Sequence, residues 1–315
     1  MLNRRHLRVK VMQTLYAFSL SADKQVKDFE KALFSSVDEV NQMYIWTLNL
    51  LDEVAEYVLI DAEGRANKFL PTEADKAYTT KLNSNTFIES LRQNRVYLEN
   101  VKKYKVSWEF DPEIVRSIFA TLKASPEYMA YLQQEDRSIA VEKDIIKFIF
   151  KKIILKSTEI EQAFETKFIN WPVDREVLQA MIAKTFKNFS SENPTQNKLA
   201  DLTPNWEEDS EFISELLKQT IRYGEEYQQL ISAKTKNWEA DRIALVDTLL
   251  MRMAISELVN FPTIPVKVTI NEYIELSKAF STSKSNTFIN GILDKILAEL
   301  KEQGRIQKTG RGLNG

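Results

Sequence analysis

Apolar residues recur at helical spacing from the first turn of this chain. Leu7, Val11, Leu15 and Phe18 fall on one stripe, which Met12 broadens. A second stripe runs through "DFEKALFSS", and a third occupies Val37 to Ile60. "DAEGRANKFLPTEADKAY" breaks the period with Gly64 and Pro71. Several further helical stretches follow between about 83 and 189, with starts predicted at Asp111-Pro112, Ser125-Pro126 and Trp171-Pro172. Proline is tolerated in a first helical turn, where its missing N–H costs nothing. The polar run "SSENPTQNKLADLTPN", Ser190 to Asn205, holds two prolines and reads as the clearest linker. Beyond it the spacing predicts helices at 206–232, 238–260, about 266–280 and 283–302. Residues 241–258 are apolar nearly all round, which predicts the central, buried helix. The last helix keeps Phe288, Ile292, Ile296 and Leu300 on one side, and the hydroxyls of Ser281, Thr282 and Ser283 are placed to cap it. Residues 303–315 offer no core residues and are expected to form a mobile tail.

Composition narrows this to an all-α fold. At 315 residues and 43% hydrophobic, the chain buries one large core or two modest ones, and seven glycines and eight prolines are few for strand-and-turn architecture. The absence of cysteine excludes disulfides, thiolate metal sites and cysteine nucleophiles, and suits a reducing cytoplasm. A single histidine, His6, counts against histidine-rich metal sites and a Ser-His-Asp triad, so neither a catalytic residue nor a metal ligand is expected. No apolar run reaches the length of a membrane span, and the expected location is cytoplasmic. One echo stands out: Asn-Trp-x-x-Asp-Arg occurs at 170–175 and again at 237–242. Duplication of a helical unit and chance similarity between two amphipathic helix pairs both account for it.

Charge changes the picture more. Residues 1–20 carry Arg4, Arg5, Arg8 and Lys10 and no acid, while 303–315 carry Arg305, Lys308 and Arg311 and no acid. Setting these seven cations aside leaves the body at -9. An acidic body with two basic ends suits a polyanion held at specific places. On a helical wheel Arg4, Arg8 and Leu15 lie within about 40° of each other, so the cations extend the apolar stripe. Burying unpaired guanidinium groups is prohibitive, which predicts that the first two turns project beyond the core or unwind. A frayed, solvated basic terminus is the plainer alternative; arginine type and clustering favour RNA. Tyr16 and Phe18 are expected in the core.

The two ends of the chain together resemble the bacterial NusB transcription antitermination family. The N-terminal match is "RRHLRVKVMQTLYAF". The C-terminal match runs from "NWEADRIALVDTLL" through Pro-x-Lys-Val-x-Ile-Asn-Glu, Glu-Leu-x-Lys-x-Phe and Ser-x-x-Phe-x-Asn-Gly-x-Leu-Asp. This resemblance covers roughly residues 1–60 and 206–300. It implies a NusB-like helical bundle of two subdomains, a non-enzymatic role and no cofactor. It also implies binding to boxA-like RNA of ribosomal leader transcripts, jointly with ribosomal protein NusE, within the RNA polymerase antitermination complex. Carried over by position, Arg4, Arg5, His6, Arg8 and Lys10 would contact RNA, with Lys284 and Phe288 at the turn into the last helix. His6 stands where an arginine is usual, which weakens the contact and makes it sensitive to pH. Tyr16, Asp247 and Arg252 would fall on the partner-protein face, although Asp247 and Arg252 equally suit structural ion pairs. Glu257, set among Val246 and Leu250, needs a partner and reads as structural.

Residues 61–205 have no counterpart in compact family members. The expected organisation is therefore an N-terminal helical subdomain at 1–60, an inserted helical region at 61–205, a C-terminal subdomain at 206–302 and the tail at 303–315. The insertion is helical and aromatic enough to fold, and its role is open. Two rival readings stand beside antitermination. One is an RNA methyltransferase, against which no glycine-rich loop follows a strand. The other is a protein-only scaffold in which the basic end is idle, or an RNA-binding ribosome-assembly module without an antitermination role.

Overall fold

A computed structural model of the chain describes all residues except 71, 73–77, 191–196, 236–242 and 314–315. The described residues are helical, with no strand among them. In chain order, α1 is Arg4–Leu20 and α2 is Val26–Ala66. Helices α3 (Thr86–Gln93), α4 (Arg95–Tyr104), α5 (Pro112–Lys123), α6 (Pro126–Gln133) and α7 (Ile139–Phe148) follow. Helix α7 runs into a π-helix, Ile149–Ile153, and a 3-10 turn, Ile154–Lys156. Then come α8 (Thr158–Lys167), α9 (Trp171–Asn188), α10 (Trp206–Arg222), α11 (Gly224–Lys234), α12 (Leu245–Asn260), α13 (Val266–Phe280) and α14 (Ser285–Glu302). All three X-Pro starts predicted from sequence are helix starts.

Several boundaries differ from expectation for local reasons. The second and third stripes are one helix, α2, because no glycine or proline interrupts residues 26–63. The stretch 206–232 is two helices, α10 and α11, separated at Tyr223. The second Asn-Trp-x-x-Asp-Arg segment, 237–242, and the expected start of the central helix at 238 lie outside the described residues.

The chain forms two compact units, and the division between them falls within α2. The first unit comprises Asp38–Leu202 with Met1; the second comprises Leu2–Val37 and Thr203–Gly315. The first unit therefore begins well before residue 61, because Met43, Trp46, Leu50 and Val54 of α2 are in its core. Aromatic rings fill much of it. Trp46 meets Trp108 edge-on at 5.1 Å, Phe164 meets Trp171 at 5.0 Å, and Phe87 meets both Phe186 and Phe189 at 5.2 Å. Such pairs add about 0.5–1.5 kcal/mol each beyond their buried area.

In the second unit α12 is central, as its all-round apolar sequence predicts. It packs against α1, α10, α11, α13 and α14, and Leu250, Met251, Met253, Ala254, Ile255 and Leu258 are fully buried. Helix α1 packs on α10, α12 and α13 and buries more than one stripe: Leu7, Val9, Val11, Met12 and Leu15, and also Arg8, Lys10 and Thr14. Tyr16, expected in the core, is 42% exposed. Phe18 is half-buried against Phe29. Residues 303–313 have docking contacts that the sequence did not reveal. Gly304, at φ +65, ends α14 with the Arg305 N–H on the Leu300 carbonyl at 2.9 Å. Lys308 Nζ donates to the Phe261 carbonyl at 2.9 Å, and the Thr309 N–H to that of Pro262 at 3.0 Å. Gly312 then sits where a Cβ would come 2.0 Å from the Pro262 oxygen, so only glycine fits.

Candidate nucleic-acid and partner interface

Helix α1 begins with a capping box. The Asn3 side chain accepts from the His6 N–H at 3.0 Å, and the Asn3 N–H donates to His6 Nδ1 at 3.3 Å. His6 thus holds the position that glutamate or glutamine usually takes in such a cap. This entry sets the direction in which the next two turns present their arginines.

Those arginines do not project into solvent unpaired. Arg8 is 2% exposed and meets Glu257, itself 0% exposed, through two parallel bonds of 2.7 Å from Nε and Nη2. Thr269 Oγ1 donates to the same carboxylate at 2.8 Å and Tyr273 Oη at 3.1 Å, so both its oxygens are doubly satisfied. Burial opposes the charge on Arg8, but the hydrogen bonds to Glu257 and its negative charge outweigh it, and the pKa is raised. Burial, then the Glu257 charge, pushes the Tyr273 hydroxyl well above its ordinary value, so it remains a donor. Arg5 forks onto Glu272 at 2.9 and 2.8 Å. That hydrogen bonding holds the Glu272 carboxyl below the usual range against its partial burial, with help from the Arg8 charge. Arg4 pairs with Glu208 and, at 3.5 Å, with Asp209. The Phe212 ring lies under both Arg4 and Arg8, at 5.0 and 5.3 Å.

The expectation that the cations extend past the core is therefore corrected. Arg8 and Lys10, 2% and 1% exposed, are interior residues; a cation on an apolar face is tolerated where a buried acid meets it, as Glu257 meets Arg8. Arg4 and Arg5 keep 33% and 48% of their side chains exposed and are paired at the surface. The acids that meet the arginines, Glu208, Asp209, Glu257 and Glu272, form the half of the site that the sequence reading did not assemble. A signal was present: Glu257 on the apolar helix α12 and Arg8 on the apolar face of α1 are opposite misfits that resolve each other.

The remaining candidates gather elsewhere. The hydroxyls of Ser281 and Thr282 do not cap α14; they meet Ser285 Oγ at 2.9 and 2.8 Å, and Ser285 donates to Asp247 Oδ2 at 2.7 Å. Asp247 is 5% exposed, and its Oδ1 has no hydrogen-bond partner among the described residues. Lys284 is exposed beside this cluster, and Phe288, one turn on, is half-buried. Arg252 bonds neutral Gln228 through Nε and Nη2 at 3.2 and 2.9 Å, and burial lowers its pKa. Among the described residues neither Asp247 nor Arg252 holds an ion pair. Asp247 and Glu257 are ten residues apart on α12, about 15 Å along its axis, so the arginine cluster and the Lys284 cluster lie toward opposite ends of that helix. Among the described residues no group of three or more His, Cys, Asp or Glu could hold a metal, and no helix is long and apolar enough to cross a membrane.

Comparison with known proteins agrees with this helical core. The NusB family model matches residues 176–298. The chain is similar to a protein of Salinibacter ruber named transcription antitermination protein NusB, with 37% identity over 155 residues, which is 49% of this chain and 88% of the relative. Proteins of the same name from Chloroherpeton thalassium and Geobacter sulfurreducens are each 42% identical, over 103 and 93 residues. These matches cover 33% and 30% of this chain, and 49% and 67% of the relatives. No solved structure matches the chain. Since 88% of the Salinibacter relative is spanned at 37% identity, and an all-helical unit is built around α12, the chain belongs to the NusB family.

Proposed function

We propose that the protein is a transcription antitermination factor that binds boxA-type ribosomal leader RNA together with ribosomal protein NusE and supports processive transcription by RNA polymerase. Membership in a family whose relatives carry the antitermination name supports this reading. At the level of residues, Arg4, Arg5 and Lys284 are the cations that RNA reaches. Exposed ion pairs contribute about 0–1 kcal/mol, so phosphate displaces Glu208 or Glu272 at little cost. The Arg8–Glu257 pair is a different case. Breaking a buried pair costs about 3–5 kcal/mol, which makes Arg8 the anchor of α1 and not an RNA contact. Tyr16, exposed on α1, with Asp247 and Arg252, serves the NusE face in this reading.

A salt titration of binding to a boxA-like RNA, with and without NusE, tests it. Each phosphate contact to single-stranded RNA contributes a slope of about -0.7, so Arg4→Ala/Arg5→Ala should weaken binding and flatten the slope by roughly 1.4. Unchanged affinity and slope would remove these arginines from the interface. The internal pairing of all three arginines favours a second reading, a protein-only scaffold. Recovery of a protein partner without salt-sensitive RNA binding would support that instead.

A further inference from the structure

The first unit contains a basic surface, one wall of which, residues 145–156, lies outside the residues that the family model matches. From α7 through the 3-10 turn, buried and outward residues alternate in pairs. Ile145, Ile146, Ile149, Phe150, Ile153 and Ile154 are buried, whereas Lys151, Lys152 and Lys156 are exposed and Lys147 is half-exposed. The repeat is four residues. On a regular α-helix of 3.6 residues per turn, such a repeat drifts by about 40° each turn. The π-helix at Ile149–Ile153 absorbs the drift: the Ile154 N–H reaches back five residues to the Ile149 carbonyl. Unwinding keeps the isoleucines on the core and, in the same step, keeps the lysines in one outward row, at about 6 Å per turn.

Beside this row runs an open groove of about 590 Å³, lined by Phe150, Lys151, Leu155, Glu176, Ala180 and Ala183 among others. The opposite wall is α9. Its exposed Lys184 and Lys187 lie within about 40° of Ala180 around the helix, and the alanines leave that wall low. Lys151, Lys152, Lys156, Lys184 and Lys187 have no carboxylate partner among the described residues. The neighbouring acids are mostly engaged: Asp144 with Lys147 at 2.9 Å, Glu161 with Arg175 at 2.8 Å, and Glu159 with Ser157 and Ser117. Glu176 is the acid that lines the groove.

We propose that this groove is a second RNA track, independent of base sequence, in which Lys151, Lys152 and Lys156 on one wall and Lys184 and Lys187 on the other hold the phosphates of a single strand. Regularly spaced flexible ammonium groups suit a phosphate backbone and read no bases. A lipid surface is a poorer fit, because membrane-surface helices turn apolar residues outward and here they face the core. That the polyanion is RNA rests on the antitermination reading; that the groove takes a polyanion does not.

The test uses the full chain with polyuridylate over a range of salt concentrations. Lys151→Gln/Lys152→Gln/Lys184→Gln/Lys187→Gln should weaken binding and flatten the logarithmic salt slope by up to about 2.8, at roughly 0.7 for each phosphate contact. The corresponding fourfold Lys→Arg variant should retain both, which separates charge from folding. Unchanged affinity and slope in the glutamine variant would overturn the track. So would lysine-dependent binding to phosphatidylserine vesicles or polyglutamate without any to polyuridylate. Arg4→Ala/Arg5→Ala, measured on boxA-like RNA in parallel, reports on the antitermination site separately. Loss of polyuridylate binding in the lysine variant would stand even if that arginine variant bound normally.

Discussion

Two cationic clusters, one in each unit, treat positive charge in opposite ways. In the second unit, Arg4, Arg5, Arg8 and Arg305 each meet a carboxylate, and Lys308 meets a carbonyl. In the first, Lys151, Lys152, Lys156, Lys184 and Lys187 have none among the described residues. The basic run that stands out in the sequence, at the N-terminus, is thus internally neutralised. The less conspicuous "FIFKKIILK" presents open charge. Clustering of cations along a chain does not by itself separate a binding surface from half of a buried ion pair. What separates them is whether an acid faces the cluster from another helix.

The largest expected effect sharpens that contrast on the structural side. Arg8→Ala leaves Glu257 buried without its cation and should lower stability by about 3–5 kcal/mol, read from urea unfolding, whereas Lys152→Ala should change it by less than about 0.5. Equal effects would erase the distinction. Arg137→Ala comes next. Glu142 is as buried as Glu257, but Arg137 is 44% exposed, and Tyr131 and the Thr86 N–H also serve that carboxylate. Its loss should cost about 1–3 kcal/mol, less than that of Arg8.

A smaller effect concerns pH. Because Arg5 holds the folded-state pKa of Glu272 below its ordinary value, the pair stabilises the fold above the unfolded carboxylate pKa. That contribution is lost as pH falls through the lowered folded value. Glu272→Gln should therefore flatten the acid limb of a stability–pH curve and leave the curve above neutrality nearly parallel to that of the parent. An unaltered acid limb would show that the pair contributes nothing. The smallest expected effect is at His6, where His6→Ala removes one arm of the capping box and should cost about 0.5–1 kcal/mol in thermal or urea unfolding. A cost matching that of Arg8→Ala would mean the cap, not the ion pair, anchors α1.

Much of the fold was legible because it depends on local pattern. The X-Pro starts of α5, α6 and α9, the central place of α12 and the span of α13 follow from helical period and proline geometry. The misreadings have a common cause in partners distant along the chain. Tyr16 lies on a strongly apolar stretch, yet it is exposed, since the helices around α1 cover other sides of it. The hydroxyls before α14 were legible as capping groups, but Asp247, far back on α12, draws Ser285 toward itself. Arg8 and Glu257 are 249 residues apart, and each looks like an error until the other is beside it.

The sequence by itself determined the class of fold, most helix starts and the family, because periodicity, proline geometry and motif spacing are properties of neighbouring residues. Only the tertiary structure decided which cations remain available. The charge a guanidinium or ammonium group offers to a ligand depends on what faces it across helix packing, and that neighbour can come from anywhere in the chain.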